Sequence, residues 1–289
     1  MIVAIASGKG GTGKTTVAVN FAKVLSEQGR DVQLLDCDVE EPNCHIFVKP
    51  EFETSRSVAV PVPEVDEALC TLCGECADVC QFNAIACLKK SVLVFPELCH
   101  GCGGCWLVCP AGAITPTGRE VGVVETGEAL GFAFAHGRLR IGEAMSPPLI
   151  KAVKRKIDPA RTCIIDAPPG TSCPVIEAVK GADFLLLVTE PTPFGLNDLR
   201  LAVEMARELR LPRGVVINRC DIGDGRLKEY CAREKIAVLG EIPDDRRIAE
   251  AYSRGELVVD ALPEYGAQFE TLWTNIEERL PELHEKVGR

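Results

Sequence analysis

Apolar residues gather into short, nearly unbroken runs: Ile2 to Ala6, Val32 to Leu35, Cys163 to Ile165, Phe184 to Val188, Val215 to Ile217 and Val238 to Ile242. A short apolar run without polar alternation predicts a strand covered on both faces. Such strands, alternating with helical stretches, predict an α/β fold: a mostly parallel sheet with helices on both faces. The rhythm breaks between about residues 58 and 118, where prolines, glycines and cysteines take over. VAVPVPEV and PAGAITPTG, at the two edges of this stretch, read as linkers. The expected organisation is a discontinuous α/β domain over 1–57 and 119–289 and a small inserted α+β domain over 58–118. Residues 125–156 then return to the α/β body and end in a helix after Pro147 and Pro148. A glutamate-rich helix is expected over roughly 263–287, without the basic amphipathic face of a membrane-surface anchor.

Within the insertion, ALCTLCGECADVCQFNAIA and ELCHGCGGCWLVCPAGAIT align without a gap, Cys70 falling on Cys99 and Cys80 on Cys109, which marks a duplication. Both runs have the spacing C-x2-C-x2-C-x3-C and resemble bacterial ferredoxins, in which three close cysteines hold one cubane and the fourth ligates the other. The resemblance implies two 4Fe-4S clusters, one on Cys70, Cys73, Cys76 and Cys109, the other on Cys99, Cys102, Cys105 and Cys80. Zinc is the competing metal, but zinc ribbons use two cysteine pairs per ion, not triplets plus one. Pro110 follows the second run as the pattern expects, whereas Gln81 follows the first, so a looser turn is expected beside Cys80. His100 is expected at the surface, tuning a cluster by hydrogen bonding. The other seven cysteines, Cys37, Cys44, Cys87, Cys163, Cys173, Cys220 and Cys231, show no such spacing and read mostly as small buried residues, with a redox or metal role as the alternative for Cys37 and Cys44.

The first apolar run leads into Gly8-Lys9-Gly10-Gly11-Thr12-Gly13-Lys14-Thr15-Thr16, with a helix beginning near Lys14. Glycines let backbone N–H groups face phosphates, and a helix N-terminus favours anions. Lys14 has the reach for the terminal phosphates, and Thr15 offers a hydroxyl to magnesium. With its second lysine, Lys9, the segment resembles the deviant phosphate-loop ATPases: MinD and ParA, the nitrogenase iron protein and the Mrp-type iron-sulfur carriers. That resemblance implies a nucleotide-sandwich dimer in which Lys9 reaches the partner's ATP. It assigns LLDCDVEEPN to switch I, with Asp38 positioning the attacking water and Asp36 supporting magnesium or the dimer contact. It assigns CIIDAPPGTS to switch II, with Asp166 holding magnesium through water and Gly170 offering its N–H to the γ-phosphate. Asn218 in VVINRCD is expected to read adenine, with EIPDD forming a loop on the other side of the base.

Composition narrows this picture. The 289 residues are 46% apolar and 26% charged, as in a soluble globular protein. The net charge of -10 disfavours nonspecific binding to nucleic acid or anionic membrane. No stretch approaches the apolar length of a membrane helix, and MIVAIASGKGG reads as a buried strand, not a signal peptide. Fifteen cysteines therefore suggest metal binding in a reducing, cytoplasmic setting. The expected protein is a slow magnesium-dependent ATPase that binds ATP and ADP and acts as a homodimer or with a paralogous ATPase. It would couple nucleotide state to electron transfer, or to delivery of an iron-sulfur or metal cofactor to a partner protein. The alternative is a MinD- or ParA-like spatial organiser or cell-division factor using the cysteine module as sensor or docking site. An Mrp-type carrier is a third reading, but its C-terminal CxxC is not found here.

Overall fold

The computed structural model describes residues 1–287, and side chains as far as residue 280. Among the described residues, eleven strands and eleven α-helices follow one another, with two short 3-10 turns at Pro96–Leu98 and Pro263–Tyr265. The first half contains β1 (Ile2–Ala6), α1 (Lys14–Glu27), β2 (Val32–Asp36), α2 (Cys44–Val48), β3 (Glu51–Val65), α3 (Glu75–Val79), β4 (Ile85–Cys87), β5 (Val92–Val94), α4 (Gly104–Val108), β6 (Ile114–Ala129) and β7 (Phe132–Leu139). The second contains α5 (Pro147–Lys154), β8 (Thr162–Asp166), α6 (Cys173–Val179), β9 (Phe184–Thr189), α7 (Pro193–Glu208), β10 (Arg213–Asn218), α8 (Arg226–Arg233), β11 (Ala237–Ile242), α9 (Arg246–Ser253), α10 (Val258–Ala261) and α11 (Gly266–Val287).

Nine strands form one sheet in the order β11-β10-β9-β1-β8-β2-β7-β6-β3. The pairings from β11 to β7 are parallel, and β6 pairs antiparallel with both β7 and β3. The six apolar runs are six of the parallel strands. All six residues of β9 are buried, as an element sandwiched between two helical layers requires. One face packs against α1, α10 and α11 through Phe21, Leu25, Val258, Phe269 and Trp273. The other packs against α5 to α8 through Leu149, Val153, Val179, Val203 and Tyr230. Each fully buried Leu, Ile or Phe contributes about 1.5–3 kcal/mol, so two continuous apolar layers make the sheet a rigid platform for the loops at its edge.

The segments expected to be linkers are strands. VAVPVPEV lies in β3 and PAGAITPTG runs into β6, and these two strands pair from Glu51 opposite Glu128 out to Val65 opposite Ile114. The first seven residues of β3 are exposed, so no apolar alternation announces them. Pro61 and Pro63 are tolerated because β3 is an edge strand, where a missing N–H costs no ladder bond on the open side. Bulges after Phe52 and Val58 add twist to the ribbon. At its far end, residues 66–113 hold α3, the β4–β5 hairpin and α4, around small clusters of their own that include Val60, Val62, Ala84, Ile85 and Ile114. Among the described residues, no helix is long and apolar enough to cross a membrane.

Candidate functional site

Loop 7–13 joins the end of β1 to the start of α1. Gly11 and Gly13 take left-handed backbone angles, φ 79° and 89°. A Cβ on Gly13 would also come within 2.4 Å of Asn218 Nδ2, so only glycine fits there. Asn218, at the end of β10, donates from Nδ2 to the carbonyl of Thr12 at 2.9 Å and so braces the loop. The Thr12 hydroxyl is buried without a hydrogen-bond partner, the kind of donor a bound phosphate oxygen satisfies. A cleft of about 370 Å³ opens beside the loop. Gly10, Gly11, Gly13, Lys14, Thr15 and Thr16 line one side, and Asn218, Pro243, Asp244 and Asp245 the other. The structure therefore brings the EIPDD segment and Asn218 to the same pocket. Gly8 sits at the start of the loop, packed against the backbone of Asp198 in α7.

Three carboxylates stand behind the loop. Asp36 and Asp166 end adjacent strands in direct register and are both fully buried. Lys14 Nζ reaches Asp166 Oδ1 at 2.9 Å and Asp38 Oδ2 at 3.7 Å, and the Thr15 hydroxyl donates to Asp166 Oδ2 at 2.7 Å. Burial alone would lower the pKa of Lys14, but the charges of Asp166 and Asp38 outweigh it and hold the ammonium protonated. Asp36 is pushed up to about 7, by burial first and then by the charge of Asp166. Burial likewise lifts Asp38 to about 6. Two buried carboxylates beside a threonine hydroxyl are a hard-oxygen donor set that fits magnesium, with Asp166 and Thr15 as residues that could hold it. Asp36 does something the sequence did not announce. Its Oδ1 accepts from the backbone N–H of Asp38, and its Oδ2 from those of Asn43 and Cys44, all at 3.0 Å. It thus shapes the whole 38–44 segment. Cys44, fully buried, sends its thiol to Asp166 Oδ2 at 3.4 Å, so it is a member of this cluster and not mere filling.

Lys9 lies half-exposed at the mouth of the loop. Its Nζ is 3.4 Å from Glu190 Oε2, and Glu190 also meets Arg219 at 3.2 Å. Neither Glu190 nor Arg219 was singled out from the sequence, where a lone Glu after a strand carries no signal. Gly170, with φ 98°, donates its N–H to the Ser7 carbonyl at 2.9 Å. In this conformation that N–H is committed to the loop, and contact with a phosphate requires it to turn away.

The cysteine repeats are near-identical in local structure. Gly74 and Gly103, both left-handed, precede the short helices α3 and α4. Cys80 and Cys109 leave those helices with matching angles, φ -77°, ψ 104° and φ -70°, ψ 108°, and their sulfurs accept from Ala84 N–H and Ala113 N–H, both at 3.3 Å. The looser turn expected beside Cys80 is not seen: this backbone-to-sulfur bond fixes the turn whether proline or glutamine follows. Cys70, Cys73, Cys76 and Cys109 line one cavity, and Cys80, Cys99, Cys102 and Cys105 line a second. His100 lies at the second cavity and stacks on Phe82, ring centres 3.8 Å apart. Of the remaining cysteines, Cys37, Cys44, Cys163 and Cys231 are buried, Cys87 and Cys220 half-buried, and Cys173 exposed.

A glycine-rich loop between a parallel strand and a helix, backed by a buried lysine and strand-end aspartates, defines a P-loop nucleotide-binding protein. Residues 3–258 match the CobQ/CobB/MinD/ParA nucleotide binding domain, and the chain belongs to that family of P-loop ATPases. It is 32% identical over 260 residues to an uncharacterised protein of Methanocaldococcus jannaschii, covering 89% of this chain and 90% of that one. A second uncharacterised protein of the same organism is 34% identical over 223 residues, covering 76% and 78%. An iron-sulfur cluster carrier protein of Aquifex aeolicus is 28% identical over 278 residues, covering 91% of this chain and 63% of the carrier. In fold, the chain is similar to the cell division ATPase MinD of Pyrococcus furiosus, with TM-score 0.57, 22% identity and coverage of 96% and 98%.

Proposed function

We propose that this protein is a slow, magnesium-dependent ATPase that closes into a dimer around ATP and carries two 4Fe-4S clusters on an inserted ferredoxin-like domain over residues 58–118. Nucleotide state is coupled to electron transfer, or to delivery of an iron-sulfur or metal cofactor to a partner protein. The observation that carries the reading is the sorting of eight cysteines into two cavities, each lined by three from one repeat and the fourth from the other. The same three-plus-one sorting favours cubanes over zinc, because zinc ribbons use two cysteine pairs per ion. Bound clusters would supply one-electron storage at potentials set by hydrogen bonds to sulfur and by exposure.

In the pocket, Lys14 neutralises the terminal phosphates, Thr15 and Asp166 hold magnesium, and Asp38 orients the attacking water. Lys9 leaves Glu190 to reach the nucleotide of the second subunit. The second subunit is another copy of this chain or a paralogous ATPase, and two similar proteins occurring in one organism support the latter. Fifteen cysteines suit the reducing cytoplasm. The test is anaerobic purification followed by iron, acid-labile sulfide and ATPase assays. About eight irons and eight sulfides per chain, with magnesium-dependent hydrolysis, are expected. Stoichiometric zinc without sulfide overturns the cluster assignment.

A further inference from the structure

Polar residues extend sideways through the sheet from the nucleotide pocket. Asp166 on β8 pairs with Asp36 on β2, Asp36 with His136 on β7, His136 with Glu125 on β6, and Glu125 with Ser55 on β3. Directly paired residues project from the same face of a sheet, so this is one continuous row. Its last two strands hold the cysteine repeats at their far ends.

His136 is 1% exposed, with Nε2 2.9 Å from Glu125 Oε2, and Glu125 also meets Arg138 Nε at 2.9 Å. Burial keeps His136 below its ordinary pKa despite Glu125, while hydrogen bonding from His136 and the charge of Arg138 keep Glu125 ionised against the opposing effect of burial. A neutral imidazole beside a carboxylate carries its proton on Nε2, which leaves Nδ1 as an acceptor. That Nδ1 is buried without a partner. His45 follows Asn43 and Cys44, the two residues gripped by Asp36, and its Nδ1 is likewise buried and unpartnered. The two rings stand 5.3 Å apart, tilted by 71°. An imidazole nitrogen lies about 1.2 Å from its ring centre, so nitrogens turned toward each other at this spacing would be about 2.9 Å apart, a hydrogen-bond distance. Phe52, on β3, stacks on His136 at 5.0 Å and ties the same ring to the edge strand.

We propose that His45 and His136 form the contact through which the nucleotide pocket acts on the ribbon bearing the cysteine repeats. This rests on the reading of 38–44 as the segment that moves with the γ-phosphate. When that segment closes, α2 turns and His45 Nδ1–H donates to His136 Nδ1. His136 passes the shift through Nε2–H to Glu125 on β6 and through Phe52 to β3. Leaving two buried polar atoms unpaired is unfavourable, so the contact has two distinct states. His45 and His136 are positioning residues: neither touches nucleotide or cysteine.

The test uses the full chain, purified anaerobically with 15N-labelled histidine, in MgADP and in magnesium with a nonhydrolysable ATP analogue. A slowly exchanging Nδ1 proton on His45 is expected in the triphosphate state alone. It is lost in His45→Phe, which keeps a ring and removes both nitrogens. The ratio of analogue affinities between oxidised and reduced protein, expected at about threefold in the unmodified chain, falls to one in His45→Phe while iron content and ADP affinity hold. A triphosphate state without that proton, or a His45→Phe protein that keeps the full ratio, overturns the proposal. A protein that shows the histidine proton but binds no clusters refutes the iron-sulfur reading and leaves the pocket-to-ribbon contact standing.

Discussion

Asp36→Asn separates the two things this carboxylate does in the pocket. Its pKa is raised from 3.8 to about 7, chiefly by burial and then by Asp166. At 1.36 kcal/mol per unit, holding it ionised above pH 7 costs the folded protein about 4 kcal/mol relative to the neutral acid. Below about pH 4 the group is protonated in both folded and unfolded states and contributes nothing. Between about pH 4 and 7 the unfolded chain releases the proton and the folded chain retains it, so stability falls as pH rises. Asparagine removes that slope. It also offers one acceptor oxygen where Asp36 uses two, for the N–H groups of Asp38, Asn43 and Cys44. One of them is then left facing an amide NH2, at a pH-independent cost of about 1–3 kcal/mol. The variant is therefore less stable than the parent near pH 4 and more stable by pH 8, with a crossing between. Urea midpoints of both proteins, measured across that range without magnesium or nucleotide, check this, because contributions from groups that do not sense Asp36 cancel in the comparison. A stability difference that does not change with pH would refute the reasoning about Asp36 and Asp166.

Lys14→Ala removes the cation shared by Asp166 and Asp38 and the partner for the phosphates, and nucleotide affinity by calorimetry should fall about a hundredfold or more. Lys9→Ala should bind ATP normally yet fail to dimerise in sedimentation experiments, and Glu190→Gln, which frees Lys9 from its ion pair, should promote the dimer. Unchanged ATP-dependent assembly of the Lys9 variant would count against the sandwich arrangement. Cys73→Ser should disturb the cluster on Cys70, Cys76 and Cys109 and spare the other, visible as loss of one of two electron paramagnetic resonance signals. Equal loss of both signals would contradict the assignment of cysteines to cavities.

Much of the α/β body was legible because a strand buried on both faces must be apolar throughout. Each of the six runs is a strand, and the loop before Lys14 falls where its glycines place it. The ribbon escaped notice for the complementary reason. Its first half, EFETSRS, is exposed apart from the packing of Phe52 on Phe134 and His136, and Pro61 and Pro63 mimic a linker. The sorting of cysteines between the two cavities matches what the resemblance to bacterial ferredoxins implies, whereas the fixed offset by itself says only that the same turn occurs twice. The backbone grip of Asp36 and the places of Glu190 and His136 were not legible, because each depends on what stands on a neighbouring strand or helix. Asp36 lies next to Asp166 and His136 only after distant segments pair. Gly170 shows the limit in another way: its position is as expected, while its N–H is held by Ser7.

The claim that joins the two halves of the molecule is that nucleotide state and cluster state influence each other. It is tested most directly by measuring the reduction potentials of both clusters with MgADP and with a nonhydrolysable ATP analogue, dimerisation being confirmed in the same samples. A shift of about 30 mV in at least one cluster is expected, equivalent to about 0.7 kcal/mol for a one-electron couple. Identical potentials in the two states, with the dimer formed, would contradict direct coupling and favour a spatial organiser that uses the cysteine module only for docking.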